Sequence, residues 1–277
     1  MKVLLTLGHG YCAAHVSRNL IAQGWRVLGT IRAPEQAERL RAQGVEPVLW
    51  PEEGAAALRQ ASHILASAAP LGGRDPFLTA YPDLTGAKPA WIGYLSTTGV
   101  YGDRKGEWVD EESAPAPARG RSSDRLKAEG EWRAMGAHIF RLSGIYGPGR
   151  GPFQKLKEGT ARRIVKEGQM FSRIHVEDIA QTLIASMARP NPGAIYNLAD
   201  DEPAPADVVL EYAAELAGLQ PPPALRYEEA DLPPMARSFY EECRRVHNDK
   251  IKSEFGVKLL YPSYREGLAA ILRAEKV

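Results

Sequence analysis

Apolar residues along this chain recur in two alternating patterns. Segments 3–7, 26–30, 45–49, 63–66, 91–96 and 138–142 are short and apolar at consecutive positions, which predicts strands buried on both faces. Segments 11–23, 34–43 and 122–134 repeat their apolar residues at helical spacing, with Val16, Leu20 and Ile21 forming one such stripe. Strands of this kind alternating with helices call for a parallel sheet covered on both sides, because a crossover helix is needed to return the chain for each parallel strand. Right-handed crossovers then make the sheet doubly wound, so the expected fold class is α/β. Pro34 behind Ala33 marks a helix start, and Gly24 and Gly44 stand just past helix ends.

The rhythm loosens after residue 144, where a Gly/Pro-rich stretch at 144–152 precedes a helix near 175–188, a strand at 194–198 and a helix at 206–216. The expected division is a sheet domain over 1–150 and a smaller substrate lobe over 151–277, with the 194–198 strand returning to the sheet. Proline-rich segments 114–118 and 220–224 mark loops, and Pro221-Pro222-Pro223 reads as a stiff connector. The acidic run 107–112, with Trp108, reads as a solvated loop.

Composition narrows the function. With 35 basic and 34 acidic residues the formal charge is +1, and no Lys/Arg block forms a nucleic-acid arm or membrane patch, so neither partner is expected. No apolar run is long enough to span a bilayer, and the expected location is cytoplasmic. The two cysteines, Cys12 and Cys243, stand in no metal-ligand spacing, so neither a metal site nor a disulfide scaffold is expected.

The first strand runs into Gly8-His9-Gly10-Tyr11-Cys12-Ala13, a GxGxxA turn opening a helix. Gly8 permits the tight turn, Gly10 lets backbone approach a phosphate, and small Ala13 lets the helix pack on the sheet. Exposed N–H groups and the helix dipole then attract a pyrophosphate, so a dinucleotide is the expected ligand. At the end of the second strand, no acid stands ready for a ribose 2′-hydroxyl. Thr30 occupies that place and Arg32 follows, which favours the 2′-phosphate of NADP(H) over NAD(H), with NAD still possible.

Leu95-Ser96-Thr97-Thr98-Gly99-Val100-Tyr101-Gly102-Asp103 follows a strand directly and puts hydroxyls at the C-terminal edge of the sheet. With the GHGYCA loop, the Ser67-Ala68-Ala69-Pro70 turn, the run from Arg141 through Tyr146-Gly147-Pro148 to Gly149, the run from Ile174 to Ala180, and Tyr196-Asn197-Leu198, the chain resembles the extended short-chain dehydrogenase/reductase family. This is the NAD(P)-dependent epimerase/dehydratase group. The resemblance covers nearly the whole chain, and the short connection between the fourth and fifth strands is similar to that family's atypical members.

The resemblance implies a Rossmann-type doubly wound sheet with a small C-terminal lobe. It implies cofactor contacts at Gly8, His9, Gly10, Tyr11, Cys12, Thr30, Arg32, Ala68, Ala69, Pro70, Ser96 and Arg125. Thr97 stands at the family's catalytic Ser/Thr, where it would hydrogen-bond the substrate oxygen. The family's Tyr-x-x-x-Lys pair is represented by Arg121 and Arg125, in the register fixed by Leu126 and Glu129. A guanidinium cannot exchange a proton as the phenol does, although Arg125 could hold the nicotinamide ribose.

Tyr101, Tyr146 and His175 are the candidate substitutes for the missing acid/base, while Arg121, Gly147 and Arg173 are candidate substrate contacts, Arg173 as an anion anchor. Asp178 reads as structural. The expected activity is that of an NADP(H)-dependent oxidoreductase, or an epimerase/dehydratase-like protein, acting on a small polar substrate, sugar-derived or anionic. The alternative is a non-catalytic dinucleotide sensor that the loss of the tyrosine would permit. The segment 75–84 is broken by Pro82, which leaves a monomer or a homodimer open.

Overall fold

The structure, a computed structural model, describes residues 1–118 and 120–275. Seven strands form one parallel sheet: β1 (Val3–Leu7), β2 (Arg26–Ile31), β3 (Glu46–Leu49), β4 (His63–Ala66), β5 (Trp91–Thr97), β6 (His138–Leu142) and β7 (Ile195–Leu198). Their order is β3-β2-β1-β4-β5-β6-β7, and every pairing is parallel. Winding reverses between β1 and β4, so the loops leaving these two strands diverge and open a crevice at the C-terminal edge.

Both sheet faces are covered. Helices α1 (Tyr11–Ala22) and α2 (Ala37–Arg41) cover one face, and α3 (Gly54–Gln60) and α4 (Arg121–Ala134) cover the other. Helix α5 (Val176–Ala188) packs beside α1, sharing a core that includes Val16, Leu20, Ile179 and Leu183. Ala13 is fully buried, and its lack of bulk brings α1 close to the sheet. Segment 34–43 is a short 3-10 turn, Pro34–Gln36, followed by the five-residue α2, because Pro34 supplies the turn but the apolar stripe is too short to extend it.

Strand β7 pairs with β6, from Ile195 opposite Ile139 to Leu198 opposite Leu142. Helices α6 (Ala206–Leu216), α7 (Asp249–Phe255) and α8 (Tyr264–Glu275) stand in the C-terminal part, with shorter helices and two-stranded pairs between them. A separate apolar cluster there joins Tyr146, Phe153, Ala213, Tyr264, Leu268 and Ile271.

One loop expectation is corrected. Trp108–Val109 pairs in parallel with Arg245–Val246, and the Glu111 carboxylate accepts the Asn197 N–H at 2.7 Å. The acidic run is thus partly an edge structure tied to β7, since an otherwise orphaned backbone donor at a sheet margin needs an acceptor. Among the described residues no helix is long and apolar enough to cross a membrane, and no group of three or more His, Cys, Asp or Glu is placed to hold a metal ion.

Candidate functional site

At the crevice the turn after β1 is held from two sides. The Gly8 N–H donates to Thr30 Oγ1 at 2.8 Å, and Ser67 Oγ donates to the Gly8 carbonyl. Gly8 has φ +87°, and a β-carbon there would lie 3.1 Å from the Ala68 nitrogen, so both conformation and crowding demand glycine. Gly10 caps α1 without a side-chain acceptor, and a β-carbon on it would meet nothing within 4 Å. The first-turn amides of α1 are therefore left for an external acceptor on an open side.

Several residues expected to touch a ligand instead build this loop. His9 turns inward, its Nδ1 2.8 Å from Thr6 Oγ1 and its ring 3.2 Å from where a Gly29 β-carbon would stand, and burial lowers its pKa. Cys12 is buried, and desolvation pushes its thiol up to about 11, which suits packing rather than reactivity. The Thr30 hydroxyl is committed to Gly8. Ala68, Ala69 and Pro70 form the exit from β4, with Ala68 against Gly8. Arg32 is exposed just past β2. Its N–H donates to Gln36 Oε1 at 2.9 Å, while its guanidinium has no hydrogen bond or ion pair among the described residues.

At the end of β5, Thr97 and Ser96 part company because neighbouring strand residues point to opposite faces. Ser96 is buried and donates to Glu129 Oε1 at 2.5 Å; Glu129 in turn pairs with Arg141 at 2.8 Å, both nearly inaccessible. Ser96 therefore supports a buried ion pair and does not line the crevice. Thr97 is half-buried and its Oγ1 accepts the Gly99 N–H at 3.1 Å, which leaves the hydroxyl proton free to donate.

The sequence reading did not single out Ser122. Its Oγ lies 2.8 Å from the place a Gly99 β-carbon would take, and Thr97 Oγ1 lies 3.4 Å from the same point, so two hydroxyls flank the space of one missing side chain. The signal available was its position beside Arg121 at the start of α4.

Arg121 is exposed on the first turn of α4. Arg125 Nη1 donates to Ala68 O at 3.0 Å, Tyr94 Oη at 3.1 Å and Leu95 O at 3.0 Å, clamping the ends of β4 and β5 together. Nη1 is committed to these protein acceptors, while Nη2 and Nε carry no hydrogen bond among the described residues.

The three acid/base candidates are also engaged. Tyr101 is fully buried, donates to Asn197 Oδ1 at 2.7 Å, and lies under the Arg141 guanidinium at 4.8 Å; burial raises its pKa. Tyr146 is buried in the cluster with Phe153, Tyr264 and Leu268 and donates to the Ser263 carbonyl at 3.2 Å, and its phenol is pushed well above the usual range by desolvation. His175 is the N-cap of α5, its Nδ1 accepting the Glu177 N–H at 3.2 Å, and burial lowers its pKa to about 4. A histidine neutral throughout the physiological range cannot act as an imidazolium acid.

Arg173 donates from Nη1 to Phe171 O and Ala204 O, both at 2.8 Å, beside the buried Asp200, whose carboxyl is raised to about 8 by desolvation. Arg173 thus ties the backbone at Phe171 to that at Ala204. Asp178 accepts Leu260 and Tyr261 N–H groups at 2.7 and 3.1 Å and joins α5 to the segment before α8. Gly147 meets the start of α1: φ is +153°, and a β-carbon there would fall 2.6 Å from Tyr11 Oη, which donates to Pro148 O at 2.9 Å.

The chain matches no family model. It is 56% identical to a conserved protein of unknown function from Silicibacter pomeroyi, whose structure superposes with a TM-score of 0.94 over 99% of both chains. Protein YeeZ of Escherichia coli (strain K12) is 28% identical over 242 residues, 80% of this chain and 86% of that protein. A 3-diazoavenalumate denitrifying reductase from a Streptomyces species is 31% identical over 158 residues, 52% of this chain and 49% of the reductase. The human epimerase family protein SDR39U1, solved with NADPH, is 16% identical and superposes with a TM-score of 0.76 over 99% of both chains.

Proposed function

This chain has the fold of the NAD(P)-dependent epimerase/dehydratase proteins, and from that premise we propose that it binds a nicotinamide dinucleotide, NADP(H) ahead of NAD(H), as an oxidoreductase for a small polar substrate. The observation that carries the reading is the pairing of an uncapped, open α1 start with an exposed Arg32 guanidinium, without a hydrogen bond or ion pair among the described residues, at the end of β2. Backbone donors there suit a pyrophosphate, and a free guanidinium suits a 2′-phosphate that a carboxylate would repel. The NADPH of the human fold relative and the reductase activity of the Streptomyces relative support the same direction.

When bound, the nicotinamide would give or take a hydride at a carbonyl or carbinol carbon. Thr97 would then polarise the substrate oxygen, because its Oγ1 accepts from Gly99 and its hydroxyl proton is left free to donate. With arginine in place of the family's tyrosine, the proton would arrive from solvent through hydroxyls such as Thr97.

Titration with NADPH and NADH, followed by tryptophan fluorescence, tests the cofactor half. Tight NADPH binding that Arg32→Asp weakens is the expected result, and binding of neither nucleotide sinks the reading. Oxidation of NADPH across a panel of small carbonyl compounds tests the catalytic half, with Thr97→Ala expected to lower turnover; undiminished turnover removes Thr97 from the mechanism.

One observation favours a second reading, a dinucleotide-responsive binding protein without chemistry. Arg125, Tyr101, Tyr146 and His175 are each committed to protein partners. Tight NADPH binding with no oxidation on any carbonyl compound would select this second reading.

A further inference from the structure

The loop that would receive the pyrophosphate is built of neutral residues, and its own donors are backbone amides. A cation stands directly beside it. The Arg150 guanidinium lies 4.2 Å from the centroid of the Tyr11 ring, and Tyr11 is the first residue of α1. The chain between them is tightly fitted: Tyr11 Oη donates to Pro148 O at 2.9 Å, Arg150 N–H donates to Gly147 O at 2.9 Å, and any side chain on Gly147 would collide with Tyr11. Tyr11 is thus a platform that holds a guanidinium over the loop.

Nearby acids do not claim that guanidinium. Glu275 Oε1 accepts the Gly149 N–H at 2.7 Å, and Glu177 is engaged by His15 at 2.7 Å and by Arg18. Arg150 itself is exposed and, among the described residues, makes no ion pair or side-chain hydrogen bond. Its charge is nonetheless felt at the start of α1, where it opposes the upward shift of both the Tyr11 phenol and the Cys12 thiol.

We propose that Arg150 is a positioning residue for the cofactor pyrophosphate, reaching from the Gly147–Gly149 turn across Tyr11 to supply the charge that the neutral loop lacks. The proposal rests on the nicotinamide reading above. A planar guanidinium can bind two phosphate oxygens at once, which backbone amides on the opposite side would complement. The arrangement divides recognition between two arginines: Arg32 toward the 2′-phosphate and Arg150 toward the diphosphate.

Calorimetric titrations with three probes, NADPH, ADP-ribose and adenosine 2′-monophosphate, separate the two roles. Arg150→Met keeps the aliphatic stem on the Tyr11 ring and removes the charge. It should weaken ADP-ribose and NADPH by the same factor, roughly tenfold or more, and leave adenosine 2′-monophosphate unchanged. Arg150→Lys should recover part of the loss, since it restores the charge without the fork. Arg32→Met should show the reverse pattern, weakening NADPH and adenosine 2′-monophosphate but not ADP-ribose. Unchanged ADP-ribose affinity in Arg150→Met, with wild-type binding intact, overturns the assignment and leaves the nicotinamide reading standing. Absence of binding of all three probes to the wild-type protein overturns both.

Discussion

Two regions at the C-terminal edge of one sheet differ in how their polar groups are spent. Around the turn after β1, the outward-facing donors are left unpaired: α1 begins without a side-chain cap, Gly10 looks onto open space, and Arg32 and Arg150 make no ion pair among the described residues. Around the ends of β5 and β6, nearly every polar side chain is bonded to another. Ser96, Glu129 and Arg141 form a buried chain, Arg125 holds three oxygens, and Tyr101 holds Asn197. Unpartnered polar groups at a crevice are available to a ligand, whereas partnered ones stabilise the scaffold. Thr97 is the exception in the second region, with an acceptor role filled and a donor role open.

Breaking the scaffold side should produce the largest effect. Glu129→Ala strands the Arg141 guanidinium in the interior and should cost about 3–5 kcal/mol in urea unfolding. Nucleotide affinity of the folded fraction should hardly change, and a variant as stable as the wild type would show that the pair is not a support. On the open side, Arg32→Asp should raise the NADPH dissociation constant roughly 30-fold or more while altering that of NADH little, because one charge-assisted contact to the 2′-phosphate is replaced by repulsion.

Arg125→Met sharpens the boundary between the regions. If the guanidinium is a clamp, the variant should lose about 1–2 kcal/mol of stability and shift NADPH affinity less than threefold. A large affinity loss with unchanged melting temperature would move Arg125 to the ligand side.

The last test concerns pH. Asp200 holds its proton up to about 8 in the folded protein, against an ordinary value of 3.8, so the folded state binds a proton that the unfolded chain has released. Its contribution is complete below the ordinary value and fades as pH rises through about 8. Asp200→Asn should flatten the fall of melting temperature between pH 5 and 8, by roughly ten degrees. Parallel pH profiles for the two proteins would place the sensitivity elsewhere.

Strand positions were legible because each is a short run apolar on both faces: the readings at 3–7, 63–66 and 138–142 coincide with β1, β4 and β6. The loop after β1 was legible because its glycines serve a local backbone geometry, visible at Gly8 with φ +87°. Less legible were side-chain commitments across the fold. His175 read as a titrating group, yet it caps α5; Arg125 read as a ribose contact, yet it bridges two strand ends 57 and 30 residues away in sequence. Arg150 and Ser122 gave no signal strong enough to separate them from ordinary surface residues.

Local sequence thus determined the alternation of strands and helices, the parallel sheet, the glycine turn at its edge and the absence of an acid after β2, since each depends on periodicity or on the chemistry of adjacent residues. Tertiary structure alone decided which charged and hydroxyl groups remain free. Burial and partnership are set by residues far apart in the chain: Glu129 is withdrawn by Arg141 and Ser96, while Arg150 is brought over Tyr11 by a turn 137 residues downstream. A hydrogen-bonding group is satisfied by whatever the fold brings within about 3 Å of it, and that distance is not written in any local pattern.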